Sequence, residues 1–246
     1  MGEVYVGTSG WSYRHWRGVW YPEDIPAKEY LAWYARRFPT TEVNATFYRL
    51  PRTSTVTRWT DATPAGFLFS VKAPRSITHL RKLRGVEEDW DRFREVLEAF
   101  GEKLAAVLLQ FPPSFRSDAE ATSRVAEFLA KHRTYTFALE FRHASWIRPE
   151  VFDLLTNFRA AWVIADSSRY PSADVATADV VYYRFHGPKA LYASCYTDAE
   201  LEGFAQRIAR HLSQGRKVFA YFNNDVQGCA VQNASRLREL LRRYDA

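Results

Sequence analysis

No apolar run in this chain approaches the roughly 18 residues that a bilayer-spanning helix requires. Aliphatic strings such as LAAVLLQF (104–111) end well before that length, so no membrane partner is expected. Cysteine is almost absent. The two that occur, Cys195 and Cys229, have no metal-type spacing, and no apolar signal region opens the chain. Nothing here suggests a secreted disulfide scaffold, and a cytoplasmic protein is predicted. Phosphate-cradling patterns of the GxGxxG and GxxxxGK[ST] kinds are missing after the first apolar run, which argues against a doubly wound nucleotide fold. A GxSxG elbow is missing too, and neither cysteine ends a predicted strand, so a nucleophilic serine or cysteine is not expected. There are only six histidines. His132 and His211 fall in predicted outer helices, leaving too few for a histidine-rich metal cluster. The formal charge of +6 gives only a mild bias toward anionic partners.

What the chain does contain is apolar material, 47% of its 246 residues, enough for one sizeable core near the usual size of an α/β barrel. Eight short apolar runs recur: VYVGTSG, TTEVNATFY, GFLFSVKAP, AAVLLQFPP, TFALEFRH, AAWVIADSS, VVYYRFHG and KVFAYFNND. Between most of them lie segments of helical period, such as AKEYLAWYARRF, VEEDWDRFREVLEAFGEKL, DAEATSRVAEFLAKH and TDAELEGFAQRIARHL. Asp118, Pro149 and Thr197 stand where helices should start, and Gly215 where one should stop. The alternation predicts an α/β fold, a single (β/α)8 barrel domain over residues 1–246. After strand six, RYPSADVATAD is short and interrupted by proline, so the helix there should be irregular or reduced. An open doubly wound sheet is the alternative.

The stretch TFALEFRHASW (136–146) shows where chemistry would sit. Side chains alternate along a strand, so Phe137, Leu139 and Phe141 share one face, and Glu140 and Arg142 share the other with Ala138. If the phenylalanines meet the helices, the charged face points into the barrel and its last residues reach the mouth. The same reading at other strand ends offers Glu42, Asn44 and Thr46; Ser70 and Lys72; Gln110; Asp166; Arg184 and His186; and Asn223 or Asn224 with Asp225. A structural salt-bridge layer would explain any one pair. It explains the whole ring less well, because burying this many charges costs several kcal/mol per ion unless a network or a function compensates.

The segments GTSGWSYRHWRGVWYP, EVNATFYRLP, FLFSVKAPRSITH, LLQFPPSF, EFRHASW, RFHG and FNNDVQGCAVQNA closely resemble, in order, the signature segments of the domain of unknown function 72, or YecE-like, family. The resemblance covers nearly the whole chain. It implies a (β/α)8 barrel whose shared residues line the mouth, in a family without an established reaction. The positions it marks are Lys72, Arg75, His79, Gln110, Glu140, Arg142, Trp146, Asp166, Arg184, His186, Asn223 and Asn224.

The loop KAPRSITHLRKLRG carries Lys72, Arg75, His79, Arg81, Lys82 and Arg84 with no acidic residue, a local anion trap whose last three cations also fit a solvated basic face balanced by EEDWD. The loop after strand one is rich in Trp and Tyr and reads first as a hydrophobic plug closing one side of the barrel; if it meets a ligand, Trp11 and Tyr13, nearest the strand end, are the expected contacts. Glu140, His143, Asp166, His186 and Asp225 offer metal ligands, but their spacing matches no known site and Arg142 and Arg184 compete for the carboxylates. No metal and no cofactor are expected. The reading these residues support is an enzyme, a hydrolase or lyase, acting on an anionic, phosphate-bearing small molecule or a nucleic acid. Glu140 or Asp166 would be the base, His186 the proton shuttle, and Lys72, Arg142 and Arg184 the clamp. The alternatives are a glycoside hydrolase using Glu140 and Asp166 and a nucleic-acid-binding module without chemistry. Oligomeric state is not encoded legibly.

Overall fold

In the computed structural model, which describes residues 2–244, eight parallel strands close into a barrel in sequence order. They are β1 (Val4–Ser9), β2 (Thr40–Val43), β3 (Leu68–Lys72), β4 (Leu104–Gln110), β5 (Phe137–Glu140), β6 (Ala161–Asp166), β7 (Val180–Phe185) and β8 (Lys217–Phe222). Strand β8 pairs back onto β1, from Val4 against Val218 to Thr8 against Phe222. Helices follow every strand but one. They are α1 (Tyr30–Ala35), α2 (Ala45–Tyr48), α3 (Thr53–Asp61), α4 (Glu87–Glu98), α5 (Ala119–Lys131), α6 (Pro149–Asn157), α7 (Asp198–Ser213) and α8 (Cys229–Leu241).

The missing helix is the one after β6, as the proline-interrupted segment predicts. Residues 167–179 cross the barrel surface as irregular chain. Side chains anchor that chain: Thr177 Oγ1 accepts from Trp162 N at 2.8 Å and donates to Ala160 O at 2.7 Å, and the Trp162 indole donates to Ala173 O. The helix signals work as their chemistry requires. Asp118 accepts from Ala121 N, Pro149 opens α6, Thr197 and Glu200 form a reciprocal capping box on α7, and Gly215 takes a left-handed turn (φ 76°) after it.

Two apolar layers result from strict alternation along the strands. Outward residues such as Val107, Leu109, Phe137, Leu139, Tyr183 and Phe185 pack beneath the helices. Inward residues are aliphatic on β4 to β6, namely Ala106, Leu108, Ala138, Ala161, Val163 and Ala165, and aromatic on β7 and β8, where Tyr182, Phe219 and Tyr221 fill the lumen. Tyr221 reaches across to β2 and β3, its hydroxyl meeting Thr40 Oγ1 at 2.7 Å and Ser70 Oγ at 2.8 Å. This phenol layer is the floor of the mouth.

Candidate functional site at the barrel mouth

Above that floor the inward face turns charged. Glu42, Glu140 and Arg184 are all buried. Arg184 donates from Nε to Glu42 Oε2 at 3.0 Å, from Nη2 to Glu42 Oε1 at 2.7 Å, and from Nη1 to Glu140 Oε2. Glu42 also accepts from Tyr182 OH (2.7 Å), Ser9 Oγ (2.8 Å) and Asn44 Nδ2 (3.1 Å). Glu140 receives Arg142 Nε at 2.8 Å, and His186 Nε2 lies 3.4 Å away. Burial opposes ionisation of both carboxylates, yet the guanidinium charges win. They hold Glu42 below the usual carboxylate range and Glu140 well below it. Glu140 is therefore ionised and saturated, an anchor for cations and a weak base. Arg184, expected to clamp substrate, is committed to the two carboxylates.

His186 is buried and its pKa is lowered, chiefly by burial, so the ring is neutral; its Nδ1 meets Asn223 Nδ2 at 3.2 Å. Arg142 reaches past Glu140 to donate to Tyr192 OH at 3.0 Å, and its guanidinium stacks over Tyr170 at 4.1 Å. Lys72 differs from these. Its Nζ sits 4.0 Å from the centre of the Phe47 ring and has no hydrogen-bond or ion-pair partner among the described residues. Burial, then the charge of Arg184, lower its pKa to about 7. His79 meets the same Phe47 ring edge-on at 4.8 Å, with Nδ1 on Thr78 and Nε2 3.4 Å from Gln110 Nε2. Burial and neighbouring cations hold its pKa at about 4, so it too is neutral.

Several expected residues lie elsewhere. Asp166 shares the outward face of Trp162 and Ile164, and its carboxylate accepts from Tyr196 OH at 2.7 Å. The strand reading placed it in the lumen; the inward residue there is Ala165. Asn224 also turns outward, donating to Ser194 O and Asn233 Oδ1, while Asn223 alone faces the mouth. Arg75 is exposed at the start of the π-helical turn Ser76–Leu80, outside the network. Of the loop cations beyond it, Arg81 pairs with Asp89 at 3.1 Å and Arg84 with Glu120 at 2.9 Å, as a solvated face would. Asp225 is spent on Trp16 Nε1 (2.7 Å) and His15. Trp11 packs edge-on against Trp59 at 5.2 Å, and Tyr13 OH donates to Ser9 O. Both line a cavity of about 620 Å³ beside the mouth, which touches the charged network at Asn44.

Among the described residues, no group of three or more His, Cys, Asp or Glu side chains is arranged to hold a metal ion. No helix of them is long and apolar enough to cross a membrane. The two cysteines, whose spacing suggested no disulfide scaffold, are joined to each other. Cys195, on the loop after β7, bonds Cys229 at the start of α8, across a separation of 34 residues. Because the fold alone brings the two segments together, spacing gave no sign of it.

Strand periodicity also identifies Tyr182, two residues before Arg184 on the same face, a contact to Glu42 that the site expectations omit. Phe47, Tyr170 and Tyr192 come from a short helix and from loops, where no period points to the lumen.

Residues 5–246 match the family model described as Protein of unknown function DUF72. The chain belongs to the DUF72 family. A DUF72 protein from Thermotoga maritima superposes with a TM-score of 0.89 at 30% identity, covering 98% of this chain and 99% of its own. Another from Enterococcus faecalis gives 0.82 at 21% identity, covering 97% and 95%, and supports the fold alone. Among curated proteins, the UPF0759 protein YunF of Bacillus subtilis is 28% identical over 97% of this chain and 94% of its own length. The UPF0759 protein YecE of Escherichia coli is 30% identical over 114 residues, 46% of this chain and 39% of its own length. The DUF72 relationship agrees with the barrel and leaves the reaction to be argued from the site.

Proposed function

We propose that the barrel mouth is the active site of an enzyme acting on a small anionic substrate, bound by Lys72 and Arg142 above the Glu42, Arg184 and Glu140 network. The observation that carries this reading is charge balance. Two carboxylates face two guanidinium groups, Arg184 and Arg142, and their charges cancel. Lys72 is the surplus cation, without a protein partner among the described residues. An anion arriving there gains an ammonium and part of the Arg142 fork without displacing an internal partner. Lys72, tuned close to neutral pH, is also the group best matched to proton transfer.

The glycosidase reading finds less support. Asp166 faces away from Glu140, and Glu140 is held ionised by arginines when one carboxyl must act as an acid. A nucleic-acid surface is weakened by the pairing of Arg81 and Arg84 with acids.

The test is thermal melting with inorganic phosphate, pyruvate and a nucleoside monophosphate. Stabilisation of the wild type that is lost in Lys72→Met and reduced in Arg142→Met is expected. A wild type indifferent to all three anions would rule the reading out.

A further inference from the structure

Lys72 stands at the end of β3 with its amine against the flat face of Phe47, 4.0 Å from the ring centre. The charged groups around it are Arg184, Glu140, Glu42 and Arg142, with His79 and Arg75 on the following turn. Since the first four cancel, protonating the amine adds a net charge in a half-buried, ring-walled site. The Phe47 face favours the ammonium, but burial, then the charge of Arg184, outweigh it and lower the pKa to about 7, which brings the free amine and its nucleophilic lone pair within reach near neutral pH. Next to it lies a place for a negative group. Arg142 uses Nε on Glu140 and Nη2 on Tyr192, which leaves Nη1 without a partner among the described residues. Neutral His79, which meets the same Phe47 ring at 4.8 Å, and Gln110, with Nε2 3.4 Å from the His79 Nε2, supply hydrogen-bonding groups beside the amine.

We propose that Lys72 is a covalent nucleophile that forms a Schiff base with a small carbonyl compound bearing a carboxylate or phosphate. This deepens the anion-site reading and rests on it. The amine lone pair makes the bond to the carbonyl carbon, and the carbonyl π electrons move to oxygen. Both hydrogens of the neutral amine then leave with that oxygen as water, giving the imine, so no oxidant or reductant is consumed. Once protonated, the imine withdraws electrons from the adjacent carbon, where a C–H or C–C bond can break. The substrate class is thus an anionic aldehyde or ketone, and the reaction class a lyase or isomerase.

The test is reductive trapping on the full chain at neutral pH, with glyoxylate, pyruvate or glyceraldehyde 3-phosphate and sodium borohydride, read by intact mass and peptide mapping. At least one probe should give a single reduced adduct on Lys72. It should form at least about tenfold faster there than on Lys131 or Lys189, which are exposed on the surface away from the mouth. Excess inorganic phosphate should slow it. Lys72→Arg should lose the adduct while remaining folded and stabilised by phosphate. If phosphate stabilises the wild type but every probe labels Lys72 no faster than the surface lysines, the nucleophile is overturned and the anion site stands. If phosphate does not stabilise the protein and no probe forms an adduct on Lys72, both readings fall. Rapid labelling of Lys72 that phosphate does not slow would keep the nucleophile and overturn the requirement for an anionic substrate.

Discussion

Arg184 and Glu42 are joined twice in the barrel lumen, by hydrogen bonds of 3.0 and 2.7 Å, and the third nitrogen of the same guanidinium goes to Glu140. This guanidinium thus has each of its nitrogens engaged by a buried carboxylate. It ties β7 to β2 and β5 across the lumen. Taking three charges out of water is tolerated here because the carboxylates are also served by Tyr182, Ser9, Asn44 and Arg142. The network therefore sets the geometry of the mouth, and Lys72 beside it has no ion-pair partner among the described residues.

Arg184→Met is accordingly expected to act on stability. It leaves two buried carboxylates without their shared cation, and removing one partner of such a network costs roughly 3 to 5 kcal/mol. Urea or thermal unfolding measures it. A variant of nearly native stability that had lost its stabilisation by phosphate would instead make Arg184 a substrate clamp.

Asp166 gives the opposite expectation to the one its strand-end position suggested. Its carboxylate meets Tyr196 OH on the helix-facing side of β6. Asp166→Asn keeps an acceptor for that hydroxyl, so it should cost about 1 kcal/mol, the size of one weakened hydrogen bond. Anion-dependent stabilisation of the protein should be unchanged. Melting curves with and without phosphate decide; abolished stabilisation would return Asp166 to the site.

How far the sequence carried these assignments follows from strand alternation. On β5 and β7 the aromatic face is unambiguous, so Glu140, Arg184 and His186 could be placed inward from period two alone. On β6, AWVIAD is apolar on both faces, as strands buried on two sides are, and parity could not be read from hydrophobicity; the acidic residue was assigned to the lumen although Ala165 holds that place. Asn223 and Asn224 are adjacent, so one had to face out, and only the packing of α8, through Asn233, selects Asn224. The walls of the mouth, Phe47, Tyr170 and Tyr192, lie outside the strands where no period applies. Pairing of Cys195 with Cys229 depends on long-range folding in the same way.

Lys72→Met should stabilise the protein, with a pH dependence of definite sign. In the native state the amine loses its proton near pH 7, whereas in the unfolded chain it holds it to the ordinary value of 10.5. The cost of burying the ammonium is thus fully present below about pH 7 and disappears as pH rises toward the unfolded value. Among the groups around it, Glu42 and Glu140 are shifted to lower pH, Arg142 and Arg184 to higher, and His79 and His186 are already neutral, so none of them titrates in this window. Methionine fills a similar volume against Phe47 without a charge. A gain of about 1 to 3 kcal/mol is expected near pH 6, discounted from the full linkage value because the amine keeps some contact with water. The gain should shrink steadily toward pH 10. Denaturant unfolding of both proteins across that range measures it. A variant less stable than wild type at pH 6 would mean that the ammonium is paired in the native protein, and the surplus charge on which the anion site rests would not exist.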